Sequence, residues 1–254
     1  MKMLRILILA GGKGSRMGAS VPKAMVEIGG RPIVDHIMLA IEKSGLDEKP
    51  TLLVGHGLES LKSYVGDRAR YVLQHEQRGT GHAVMVAEGT LQDADTVLVS
   101  YGDHALYTGE TFCRIAEHHN RVQPAITIST TVLPDFEDWR KVFWGFGRVS
   151  RSENGNVLAV KELKNCSSEE AECREVNNGM YCFDAEWLWH RIHDLSDKNS
   201  KQEFLLTDLI AFAVADGLSV EAVSCLPEEG IGVNTPEEVA IAEEVFRLRS
   251  VTMS

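Results

Sequence analysis

From Leu4 to Ala10 the chain reads Leu-Arg-Ile-Leu-Ile-Leu-Ala and then stops at Gly11-Gly12. Seven residues are too few for a stable helix, and a short apolar run closed by glycines reads as a strand buried on both faces. Similar runs recur at residues 51–54, 71–73, 96–100 and 125–131. Helix-like stretches separate them at 33–43, 82–89 and 110–119. A buried strand cannot pair in parallel with the next without a crossover, and a helix of this length supplies one.

The alternation therefore predicts a Rossmann-like, doubly wound α/β fold, with a mainly parallel sheet and helices on both faces. Such sheets take their ligands in the crevice beyond the carboxyl ends of the strands. After about residue 142 the pattern changes. Phe146-Gly147-Arg148-Val149-Ser150 and Val157-Leu158-Ala159-Val160 flank Glu153-Asn154-Gly155-Asn156, and Asn-Gly is a strong hairpin signal. Further elements are expected at 179–183 (strand), 187–192 and 207–215 (helices) and 220–223 (strand). A last helix starts with Thr235 as N-cap, Pro236 in the first turn and Glu237 and Glu238 at the positive dipole end. No linker and no hexapeptide repeat is present, so residues 1–254 are expected to form one domain with a small β-rich C-terminal insertion.

The 37 acidic against 26 basic residues give a net charge of -11. A field of that sign repels nucleic acid and anionic membranes, so neither is an expected partner. It also makes the position of each Lys and Arg informative. The five cysteines are scattered without a Cys-x-x-Cys pair, which suits reduced thiols and a cytoplasmic setting.

Basic residues gather after the first strand, in Gly11-Gly12-Lys13-Gly14-Ser15-Arg16-Met17-Gly18 and Pro22-Lys23. Glycines let backbone amides approach phosphate closely, while Arg16 supplies a planar fork of donors and Lys23 a point charge. A dinucleotide fingerprint would need glycine where Met17 stands. A Walker loop would need Lys followed directly by Ser or Thr, but Gly14 separates Lys13 from Ser15. The loop is read as a phosphate binder of another kind.

A second cluster runs from Gln74 through Gly79, Thr80 and His82 to Val84. Gln74 stands at the carboxyl end of the third strand, and its amide can donate and accept at once, as a uracil or thymine edge requires. In the third cluster, Tyr101-Gly102-Asp103-His104, a carboxylate beyond a strand end suits Mg²⁺, which prefers one or two protein oxygens plus substrate phosphates. Histidines do not suggest zinc: His118 and His119 are adjacent, so on a helix they point different ways.

Taken in order along nearly the whole chain, these segments resemble the sugar-phosphate nucleotidyltransferase superfamily. The nearest likeness is to the N-acetylglucosamine-1-phosphate uridylyltransferase family, without its β-helical acetyltransferase part. The resemblance extends to Gly145-Phe146-Gly147-Arg148-Val149, Glu162, Glu175-Val176-Asn177-Asn178-Gly179, the stretch 203–208 and Gly232-Val233-Asn234. It implies an enzyme that condenses UTP with a sugar 1-phosphate to a UDP-sugar, with Mg²⁺ as cofactor.

It also implies residue roles. Arg16 and Lys23 would bind and polarise the triphosphate beside the loop glycines Gly11, Gly12 and Gly14. Gln74, with the backbone around Ala10, Gly11 and Gly79, would hold the pyrimidine, helped by Thr80. Asp103 and Asn234 would coordinate Mg²⁺. Gly145, Glu162, Asn177 and Thr207 would line the sugar pocket, with Tyr101 near an acetamido group. Residues 1–135 would form the nucleotide-binding half and 136–254 the sugar-binding half.

Three departures bear on specificity. The family's Gly-Asp-x-Pro-Leu reads Gly102-Asp103-His104-Ala105-Leu106, a usual leucine is Arg78, and a usual aromatic is Leu205. They leave glucose or N-acetylmuramic acid 1-phosphate open as sugars, and thymidylyl or cytidylyl transfer open as alternatives. A non-catalytic nucleotide-sugar-binding protein on this fold would be expected to have lost Arg16, Lys23, Asp103 or Asn234, and all four are present.

Overall fold

A computed structural model describes residues 2–12, 14, 17, 21–55, 57–199 and 202–252. The first half contains β1 (Leu4–Ala10), a small ribbon of β2 (Glu27–Ile28) and β3 (Arg31–Pro32), and α1 (Ile33–Ser44). It continues with β4 (Thr51–Val54), α2 (Leu58–Val65), β5 (Arg70–Leu73), α3 (Thr80–Ala87), β6 (Thr96–Tyr101), α4 (Gly109–Val122) and β7 (Ile126–Val132). Then come β8 (Arg148–Arg151), β9 (Val157–Lys161), α5 (Ser168–Ala171), β10 (Glu175–Asp184), α6 (Ala185–Arg191), α7 (Asp208–Ala215), β11 (Val220–Ser224) and α8 (Pro236–Thr252).

The main sheet runs in the order β11-β7-β10-β6-β1-β4-β5. Within it β1 pairs in parallel with both β4 and β6, and β5 extends the parallel half beyond β4. Side chains alternate across β1: Ile6, Ile8 and Ala10 enter one apolar core, and Leu7 enters the other. The first core takes Ile37 and Met38 of α1 and Phe112 and Ile115 of α4. The second takes Val84 of α3, Leu188 of α6 and Leu209 of α7. This is the doubly wound arrangement expected from the apolar runs.

Local chemistry sets the element ends. The helix α1 buries Ile33, Val34, Ile37, Met38, Ala40 and Ile41, a stripe of helical period, and ends at Gly45 in the left-handed conformation (φ 66°). The hydroxyl of Thr108 caps α4 by accepting from the Thr111 amide at 3.2 Å. The expected hairpin is β8–β9, with Gly155 at φ 83° in its turn.

Several features go beyond the expected elements, among them the β2–β3 ribbon and the short α5. Helix α2, with Leu61 and Val65 buried, lies in a stretch the sequence reading left without an element. The strand expected at 179–183 extends over ten residues as β10. It runs antiparallel to both β6 and β7, although its burial on both faces gives it the continuous buried run usual for a parallel strand. Its register with β7 shifts between Asn177 and Tyr181, where Gly179 sits at φ 74°. Among the described residues, no helix is long and apolar enough to cross a membrane.

Candidate active site

The chain leaves β1 for β4 and β5 on one side, then returns to β6 on the other. The carboxyl ends of β1 and β6 therefore flank a topological switch point, where doubly wound sheets form their crevice. A cleft of about 390 Å³ lies there. Ala10, Gly11 and Gly12 follow β1 into it; Gln74 reaches it from the end of β5, Gly79 and Thr80 from the start of α3, and Tyr101 and Asp103 from the end of β6. Every one of these was singled out in the sequence. Space is tight at Gly11 and demands glycine at Gly79. A Cβ on Gly11 would come to 3.1 Å from Gln74 Oε1, and one on Gly79, itself at φ 106°, would overlap the Phe204 backbone.

At one end of the cleft three side chains from distant segments meet. Lys23 Nζ donates to Asp103 Oδ2 at 2.5 Å and to Asn234 Oδ1 at 2.7 Å. The other carboxylate oxygen of Asp103 accepts from His104 Nδ1 at 2.7 Å. Burial alone would raise the Asp103 carboxyl, but the charges of Lys23 and His104 outweigh it and hold the group well below the usual carboxylate range.

Asn234 is steadied by a reciprocal cap at the start of α8. The amide of Glu238 donates to Thr235 Oγ1 at 3.2 Å, and the amide of Thr235 donates to Glu238 Oε2 at 3.0 Å. The Val233 amide donates to the Asp103 carbonyl at 3.0 Å, tying this loop to the end of β6. Two oxygens thus converge on one cationic centre from firmly held segments. One carboxylate and one amide oxygen, with room for phosphate oxygens, fit what Mg²⁺ requires.

Gly14, at φ 63°, packs against Lys23, since a Cβ there would come to 3.2 Å from Lys23 Cβ. Arg16 and Lys13 lie outside the described residues.

The residues expected at the sugar are grouped differently. Asn177 Nδ2 donates to the Tyr181 hydroxyl at 2.7 Å, which lies 3.3 Å from the Tyr101 hydroxyl. Tyr101 also hydrogen-bonds Thr80, and burial pushes its hydroxyl up to about 12. The Glu162 charge acts on Tyr101 and Tyr181, and it also raises the Asp208 carboxyl, though burial is the larger cause. Thr207 precedes α7, buried, and the neighbouring Leu206 amide donates to Thr80 Oγ1 at 3.0 Å. Asn177, Glu162 and Thr207 are therefore associated with the Tyr101 wall of the cleft but are not among the residues lining it. Gly145 lines a second hollow of about 670 Å³, which Asn234 joins to the Lys23–Asp103 pair.

Sequence reasoning missed Tyr181, which bridges Tyr101 to Asn177. The signal was its place two residues after Gly179 in a strand. It also missed the buried Arg148 side chain, which donates to the carbonyls of Trp144 (3.0 Å) and Ala171 (2.9 Å) and so shapes the loop presenting Gly145.

Residues 6–141, more than half of the chain, match the MobA-like NTP transferase domain. The chain belongs to that family. As an NTP transferase it is an enzyme, and its matched region contains the glycine loop, Lys23, Gln74 and Asp103. It is 39% identical over 249 residues to the bifunctional protein GlmU of Latilactobacillus sakei and 38% identical over 245 residues to that of Clostridium novyi. Each match covers 96% of this chain but only 51% and 52% of the relative, so the chain spans about half the length of the curated relatives it matches. The fold is also that of a Bacillus anthracis protein provisionally assigned as a glucose-1-phosphate thymidylyltransferase. The two superpose with a TM-score of 0.76 at 17% identity, over 96% of this NTP transferase and 95% of the other chain.

Proposed function

We propose that this nucleotidyltransferase condenses UTP with a sugar 1-phosphate, foremost N-acetylglucosamine 1-phosphate, to give a UDP-sugar and pyrophosphate. The observation that carries this reading is the convergence of Asp103 Oδ2 and Asn234 Oδ1 on Lys23 Nζ at the switch-point cleft, beside the glycine loop. That is a site for a triphosphate and its counter-cation. The identity to GlmU proteins over nearly all of this chain supports a sugar phosphate as the second substrate.

In the proposed reaction a phosphate oxygen of the sugar 1-phosphate attacks the α-phosphorus of UTP. The new P–O bond forms in line with the one that breaks, and pyrophosphate leaves with the electron pair. The sugar phosphate is already an anion, so no protein nucleophile is needed and catalysis consists of positioning and charge neutralisation. Lys23 neutralises charge on the triphosphate, and Arg16 is proposed to join it on the strength of the sequence resemblance. Asp103 and Asn234 would hold Mg²⁺, whose contribution when bound is to screen the phosphate oxygens. Gln74 and the backbone from Ala10 to Gly12 would receive the base, with Gly79 and Thr80 beside it. Tyr101, Glu162, Asn177, Thr207 and Gly145 would shape the sugar side. The halves 1–135 and 136–254 would then serve nucleotide and sugar respectively.

A second reading, dTTP with glucose 1-phosphate, draws support from the fold shared with the Bacillus anthracis protein, since uracil and thymine present the same hydrogen-bonding edge. The test is pyrophosphate release with Mg²⁺, using four nucleoside triphosphates against N-acetylglucosamine, glucose and N-acetylmuramic acid 1-phosphates. Release confined to UTP with N-acetylglucosamine 1-phosphate is expected. Release confined to dTTP with glucose 1-phosphate would establish the second reading, and no release with any pair would overturn both.

A further inference from the structure

Gln74 is buried at the edge of the cleft, and its amide is held by a residue that the mechanism does not use. Gln74 Nε2 lies 2.9 Å from His82 Nδ1, on the first turn of α3. An amide nitrogen can only donate, so this contact requires a lone pair on Nδ1. The backbone carbonyl of Glu76 also hydrogen-bonds the imidazole, which requires a ring N–H. A neutral ring meets both demands at once when its proton sits on Nε2. Burial, and then the charge of Arg78, hold the His82 imidazole below its ordinary value, favouring that neutral ring.

The consequence falls on the other end of the amide. With Nε2 turned to His82, Gln74 Oε1 lies over Gly11 on the cleft floor. Uracil and thymine carry an N3–H that an amide oxygen can accept. Cytosine presents a bare N3 lone pair, which would face Oε1 acceptor to acceptor. Resting on the reading that Gln74 meets the pyrimidine, we propose that His82 is a positioning residue: its Nδ1 lone pair fixes the Gln74 amide with oxygen toward the base and so selects bases bearing N3–H over cytosine. A site built to receive a hydrogen bond rejects a base that lacks the donor far more strongly than a shape-only pocket does.

The experiment compares UTP and CTP binding by calorimetry, with Mg²⁺ and without sugar phosphate, in the full chain and in Gln74→Ala, His82→Leu and His82→Asp. The unsubstituted protein is expected to favour UTP by at least about tenfold, and Gln74→Ala to lose that preference. His82→Leu, with no lone pair to offer, should bring the ratio within about twofold of unity. His82→Asp, which only accepts, should keep the preference even if both affinities fall. A His82→Leu protein with the unsubstituted ratio, alongside a Gln74→Ala protein that has lost it, would overturn the proposal while leaving the base reading intact. Retention of the preference in Gln74→Ala, or its absence in the unsubstituted protein, would overturn the base reading itself. Independently of any variant, ¹⁵N shifts of the His82 ring should show a pyridine-type Nδ1 and a pyrrole-type Nε2. The opposite tautomer would overturn the proposal.

Discussion

Lys23, Asp103 and Asn234 come from positions 80 and 211 residues apart along the chain, measured from Lys23. Each is fixed by its own segment, so removing one should disturb the charge balance more than the fold. Lys23→Ala and Asp103→Ala are each expected to lower kcat by at least about a hundredfold, by analogy with the loss of one preorganised charge contact at about 3 kcal/mol. Circular dichroism should remain unchanged. A folded Asp103→Ala protein with normal turnover would remove the metal assignment. Gly179 makes a different prediction. It sits at φ 74° and a Cβ there would overlap the Tyr101 ring. Gly179→Ala is expected to cost roughly 1–3 kcal/mol of stability and to raise KM for the sugar phosphate more than for UTP, as chemical denaturation and steady-state kinetics would show. At this scale the residue types were legible in the sequence, because few basic residues of an acidic chain sit among glycines. Their partners were not. That the Lys23 ammonium lies between Asp103 and Asn234, or that Tyr181 bridges Tyr101 to Asn177, depends on where β6, β10 and the α8 cap bring them.

Among the elements, β1, β4 and the start of α1 could be placed to the residue, because buried strands in a parallel sheet leave an uninterrupted apolar run and glycine or proline marks their ends. The direction of β10 was hidden for the reason that made it visible as a strand: burial on both faces erases the alternation that orientation arguments use. The packing of α4 on β7 carries a pH prediction. His119 is buried and donates to or accepts from Thr127 Oγ1 at 3.0 Å. Burial lowers its imidazole from 6.5 to about 4. The unfolded chain therefore binds a proton below pH 6.5 that the folded chain refuses until about pH 4. This contribution is complete above pH 6.5 and declines as pH falls toward 4, by about 2 kcal/mol between pH 6.5 and 5. Urea midpoints at the two pH values should separate more in the unsubstituted protein than in His119→Gln, provided both fold. Equal separation would show that another group sets the acid response.

For the whole molecule, the division at residue 135 does not coincide with a break in the sheet. The strand β10, from the later half, lies between β6 and β7 of the earlier half. Unfolding of the full chain is therefore expected as one cooperative transition. A 1–135 fragment, which leaves the facing edges of β6 and β7 without their partner, is expected to lack one by calorimetry. A cooperative transition in the fragment would show that the halves are separable. Asn177 of the later half reaches Tyr101 of the earlier half through the Tyr181 hydroxyl, so the wall of the cleft is also built from both halves. In the proposed reaction the nucleotidyl group, with its α-phosphate, passes to a sugar phosphate. This transfer is tested most directly by incubating the protein with Mg²⁺, N-acetylglucosamine 1-phosphate and UTP labelled at the α-phosphorus, then separating the products. Label is expected in a UDP-sugar, with unlabelled pyrophosphate released in equal amount. Label that stays in UTP, or appears in UMP without any nucleotide sugar, would contradict the proposed transfer.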